Sequence, residues 1–116
     1  MYIFINTAYD NSKEKIHEIF RVKLNLNHSY GANLDALYDV LSTCYSEPVN
    51  IKIFNPDTDN LKLYMYLEKL FKMLKDVCEE NENVTMDVYS SYESLIEAEP
   101  DAVIDGLVDT DRIGTD

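Results

Sequence analysis

Residues 2–6 read Tyr2-Ile3-Phe4-Ile5-Asn6. Three consecutive apolar side chains leave neither face of a strand for water, whereas a half-exposed antiparallel strand would alternate. A run this short and continuous fits a strand of a parallel sheet covered on both sides. Two further runs share its character. Val49 to Phe54 places Val49, Ile51 and Ile53 on one face, and Val84 to Tyr89 supplies a third strand. Helical patterns fill the intervals. Asn11-Ser12-Lys13-Glu14 has capping-box spacing with Asn11 as the cap, and Ile16, Ile19, Phe20 and Leu24 follow at helical spacing. After the polar break from Asn25 to Gly31, Asn33 is a good N-cap for a second helix with Leu34, Leu37 and Leu41 inward. Pro48 closes that region, and Pro56 marks a loop over 55–60. Leu63, Tyr64, Leu67, Leu70, Phe71, Leu74 and Val77 then form a stripe that fits one helix, or two broken near Tyr64. The order β, α, α, β, α, β predicts an α/β fold: a small three-stranded parallel sheet packed by helices in three layers, with right-handed crossovers.

The 116 residues suffice for one domain, and 46% hydrophobic residues suffice for its core. We expect the domain to span residues 1–90 and a compositionally distinct acidic extension to span 91–116. From Glu93 onward there are eight carboxylates against one cation, Arg112. Within the extension, Tyr92 to Ala98 fits a short helix ended before Pro100. Ala102, Val103, Ile104, Leu107 and Val108 either pack onto the domain or stay loose, and residues 109–116 are expected to be disordered. No apolar run approaches a membrane span, and nothing resembles a signal peptide. Cys44 and Cys78 lack zinc spacing and read as reduced thiols in a cytoplasmic protein.

The net charge of −12 decides against several partners. Nucleic acid and anionic membrane surfaces both require clustered Lys and Arg. A basic protein partner remains compatible. Asp57-Thr58-Asp59-Asn60 lacks the turn glycine and spaced carboxylates of a calcium loop and reads as helix capping. The residues call for neither a metal nor a cofactor.

The second helix carries the most informative pattern. With Leu34, Leu37 and Leu41 inward, Asp35, Asp39 and Ser42 fall at i, i+4 and i+7 on the outer stripe, and Tyr38 sits at its border. Asp35 suits the first turn, where the helix dipole favours an acid. Asp39 gains less, and the two acids repel by roughly 0.2–0.5 kcal/mol. On spacing alone the stripe reads as a solvated helix face.

The stretch Tyr30-Gly31-Ala32-Asn33-Leu34-Asp35-Ala36-Leu37-Tyr38-Asp39 resembles the signature of the barstar family, intracellular inhibitors of the secreted ribonuclease barnase. The resemblance extends over residues 1 to about 89, through the proline, strand, long helix and final strand that follow. It implies a three-stranded parallel sheet packed with helices, and a helix that plugs a ribonuclease active site. It implies that Asp39 meets the cations of the phosphate site, with Asp35 beside it, Asn33 and Tyr30 at the loop and helix start, and Asp76 as a peripheral acid on the last long helix. Tyr38 stands where the family has tryptophan, and Ser42 replaces a similar hydroxyl. Ser29, Thr43 and Cys44 depart from the family pattern and are secondary contact candidates. Tyr45 either supplies an aromatic contact or packs inward. Glu47-Pro48 matches the place of a cis proline in the family, although sequence alone predicts trans. The implied partner is a basic, extracellular-type ribonuclease or a related toxin, bound by a monomer. His28 is read as an exposed loop residue, and His17 as a solvated residue on the outer face of the first helix. A different protein partner for the same fold is the alternative. Carboxylate catalysis finds no cleft or third group in this pattern.

Overall fold

The computed structural model describes residues 1–43 and 47–102. The chain runs β1 (Tyr2–Asn6), α1 (Lys13–Lys23), α2 (Leu34–Ser42), β2 (Val49–Phe54), α3 (Leu61–Glu80), β3 (Val84–Tyr89) and α4 (Tyr92–Ala98). The sheet order is β1-β2-β3, and both pairs are parallel. Ile3 and Ile5 pair with Ile51 and Ile53, which pair in turn with Met86 and Val88. Alternation then sends Ile3, Ile5, Ile51 and Ile53 to one face, where they meet Ile16 and Phe20 of α1, Leu37 and Leu41 of α2, and Leu67, Leu70 and Leu74 of α3. Phe4 and Phe54 point to the other face and pack with Leu95 of α4, rimmed by Tyr2, Tyr89 and Tyr92. Three helices, the sheet and α4 therefore form three layers, and the continuous apolar run of β1 is explained by cover on both sides.

Several local expectations shift. The first helix is capped by Ser12, not Asn11: the Ser12 hydroxyl accepts from the Lys15 amide. That places the polar cap one residue closer to the first buried side chain, Ile16. The long helix is unbroken, because Asn60 caps it and Tyr64 lies on its exposed side instead of within the buried stripe. Leu34 is only half-buried. The Glu47–Pro48 bond is trans, with no cis peptide among the described residues.

The second face holds a buried charge. Lys52 lies opposite Asp87 in the sheet register and is 4% exposed. Its ammonium donates to Asp87 at 2.6 Å and to both Glu99 oxygens at 2.8 Å. Tyr89 also donates to Glu99. Burial opposes the Lys52 charge, but its bonds to Asp87 and Glu99 outweigh burial and hold its pKa above the usual value. The Lys52 bond, then the Tyr89 bond, hold Glu99 below its usual value. Glu99 and buried Ala102 belong to the stretch that composition separates as an acidic extension, so the start of that stretch packs against the sheet. Val103, Ile104, Leu107, Val108 and residues 109–116 lie outside the described residues.

Candidate functional site

The loop before α2 is shaped by tight local bonding. The Asn27 side chain accepts from the Ser29 amide at 2.9 Å, and the Tyr30 amide donates to the Asn27 carbonyl at 3.1 Å. Ala32 adopts the left-handed conformation, with φ of 51°. A Cβ on Gly31 would lie 3.2 Å from the Asn33 side-chain nitrogen, so glycine lets the loop fold closely against the start of α2. Asn33 caps that helix: its side-chain oxygen accepts from the Ala36 amide at 2.8 Å.

His17 anchors this loop from below. It is 1% exposed, which corrects the sequence expectation of a solvated residue. Its Nδ1 is hydrogen-bonded to the Tyr30 hydroxyl at 2.6 Å and its Nε2 to the Tyr66 hydroxyl, one nitrogen donating and the other accepting. One neutral imidazole thereby joins α1, the loop and α3. Burial, then the charge of Lys13, lowers the His17 pKa against a smaller opposing effect of Glu14. Burial pushes the Tyr30 hydroxyl up to about 12 and Tyr66 well above its ordinary value. Tyr30 therefore directs its polar end inward, while Ser29 and His28 are exposed.

On α2 itself, Asp35 and Asp39 are both exposed on one stripe, and Tyr38 and Ser42 are half-buried. The Thr43 hydroxyl donates to the Asp39 carbonyl at 2.8 Å, and Ser42 donates to the same carbonyl at 3.3 Å. These hydroxyls satisfy an orphan carbonyl of the last turn. Cys44 and Tyr45 lie outside the described residues. Cys78 is a free, half-buried thiol.

Helix α3 brings further carboxylates to this stripe. The Tyr38 hydroxyl donates to Glu80. That bond, partial burial and the negative charges of Glu80, Asp76 and Asp39 all raise the Tyr38 pKa. Tyr38 is thus the phenol around which three carboxylates from two helices gather. Asp35, Tyr38 and Asp76 also line a shallow groove between the helices together with Lys69, Lys72 and Met73. The helix ends are tied together: buried Asn81, the C-cap of α3, donates from its side chain to the Leu41 carbonyl of α2 at 2.9 Å. Sequence reasoning named Asp35, Tyr38, Asp39 and Asp76, which the structure brings together. It missed Glu80, although Glu80 follows Asp76 at i+4. It missed His17 and Asn81, whose partners lie 13 to 49 positions away.

Exposed carboxylates on adjoining helices, with a neutral phenol between them, suit recognition of a cationic protein surface. The chain defines a small three-layer α/β class that presents an acidic two-helix face. The family model described as Barstar (barnase inhibitor) matches residues 2–91, and the chain belongs to the barstar family. Comparison with curated proteins gives no match. Among the described residues no helix is long and apolar enough to cross a membrane, and no group of three or more His, Cys, Asp or Glu side chains is placed to hold a metal ion.

Proposed function

We propose that this protein is a cytoplasmic inhibitor that binds as a monomer to a basic bacterial ribonuclease and blocks its active site. The gathering of Asp39, Asp76 and Glu80 about Tyr38, continued by Asp35 along α2, carries this reading. A ribonuclease must hold phosphates, so its cleft presents cations. Carboxylates fixed on helices occupy those phosphate positions, and their charge-assisted bonds strengthen as water leaves. Asp39 is the central anion and Asp35 its neighbour. Asp76 and Glu80 hold the periphery. Asn33, Ser42 and Tyr30 fix the loop and helix that carry them, with Ser29 and Thr43 at the rim. Family membership supports the ribonuclease as target class. The protein acts by binding and performs no catalysis.

The family departures at Ser29, Thr43 and Cys44 favour one second reading: the same face meets a related toxin that is not a ribonuclease, as an immunity module. The deciding experiment immobilises the chain and the folded Asp35→Ala/Asp39→Ala variant, and passes cell extract and culture medium of the source over both. A basic protein with ribonuclease activity, retained by the parent chain and inhibited by it, is the expected result. Retention of a protein without nuclease activity by the parent alone favours the second reading. Equal retention by both chains refutes a binding role for the two acids.

A further inference from the structure

The face carries two cations that inhibition by acids alone does not use. Lys69, Lys72, Met73 and Asp76 follow at i, i+3, i+4 and i+7, and all four line the groove against Leu34, Asp35 and Tyr38 of α2. The groove is about 450 Å3 in volume. Both lysines are exposed, in a chain with 22 acidic residues and only 10 Lys and Arg. Local pairing accounts for them only in part. Lys72 follows Glu68 at i+4, the favourable order for a helical pair, and precedes Asp76 by four residues, the less favourable order. No ion pair joins Lys69 or Lys72 to any carboxylate among the described residues. Both also lie too far from the C-terminal end of α3 to gain from the helix dipole. Yet they stand beside Asp35, where a uniformly cationic partner would be repelled by them.

We infer that Lys69 and Lys72 are specificity residues, selecting a ribonuclease that carries a carboxylate on the rim next to its cationic cleft. This rests on the inhibitor reading and adds a feature of the partner. Along α3 the charge changes from positive at Lys69 and Lys72 to negative at Asp76 and Glu80. A partner surface with acid and base in the reverse sequence fits in one register, and one bearing cations throughout does not. Met73 and Leu34 form the apolar floor against which that carboxylate's stem packs.

The probe is the ribonuclease retained by the parent chain in the experiment above, purified and studied by surface plasmon resonance at low and physiological salt. The variants are Lys69→Glu/Lys72→Glu, Lys69→Gln/Lys72→Gln and Asp39→Ala, each checked for fold by circular dichroism. Charge reversal makes the chain more acidic, so encounter with a basic enzyme quickens. The inference nevertheless expects Kd to rise by about tenfold through faster dissociation, with the glutamine pair in between. Unchanged or tighter binding by the reversed variant overturns the inference, and loss of binding by Asp39→Ala in the same series leaves the inhibitor reading standing. Asp39→Ala binding as tightly as the parent, or no ribonuclease retained by the parent, brings down the reading and the inference together.

Discussion

Ala32 holds a left-handed backbone immediately before the acidic helix, and its Cβ makes that conformation costly by roughly 1–2 kcal/mol. Ala32→Gly should raise stability by about 0.5–1 kcal/mol after the added freedom of the unfolded chain is subtracted, read from the urea midpoint. Asp39 is a different case, because it is exposed and, among the described residues, no hydrogen bond or ion pair holds its carboxylate. Asp39→Ala should leave the unfolding midpoint within about 0.5 kcal/mol of the parent. It should weaken ribonuclease binding by about 3–5 kcal/mol, since the enzyme's cations would be buried without an anion. Calorimetry on the purified pair checks both halves of that expectation. His17 gives a pH dependence whose sign follows from its burial. Its folded pKa lies below 6.5, so folding favours the neutral ring. That stability is complete above pH 6.5 and is lost as pH falls through the lower folded value. Thermal unfolding between pH 7.5 and 5 should show the decline, and His17→Gln should flatten it.

Among the elements, α2 is positioned by α3 more than by its own few turns. Asn81 supplies the link, and Asn81→Ala would remove the interhelical donor to the Leu41 carbonyl, leaving it only the Thr43 amide of its own helix end, and would strip the Asn83 amide of its acceptor. We expect a loss of about 1–3 kcal/mol in the urea midpoint and weaker ribonuclease binding, because α2 would no longer hold Asp39 against Asp76 and Glu80. Elements with strong periodicity were legible in the sequence. The apolar runs of β1 and β2, the Asn33 cap and the alternation around Leu37 and Leu41 placed strands and the acidic stripe correctly, because these patterns are local. The burial of His17 was not legible. It lies 100° from Ile16 on the helical wheel, at the edge of the buried stripe, and only Tyr30 and Tyr66 from distant segments make its burial tolerable. Glu80 was within reach of spacing rules. Its bond to Tyr38 was not, since it depends on how two helices cross.

For the whole molecule, the two faces of the sheet divide the work. The face bearing α2 and α3 supports the proposed binding surface, and the face under α4 closes over Phe4, Phe54 and Lys52. Leu95→Ala should therefore cost about 2–5 kcal/mol of stability while ribonuclease affinity, measured on the folded fraction, stays unchanged. The lowered Glu99 pKa adds a loss of stability in acid. Its ion pair contributes fully above pH 4.5 and is lost as pH falls through the lower folded value. Parallel pairing also sets the tempo at which this molecule assembles. Every strand contact joins segments separated by one or two helices, so the search for register cannot begin with a local hairpin. Chains dominated by such distant pairings cross their folding barrier more slowly than helical bundles of similar length. The acidic helix takes no part in the sheet, so substitution at Asp35 and Asp39 can change the charge of the proposed surface without touching a strand contact on which that assembly depends.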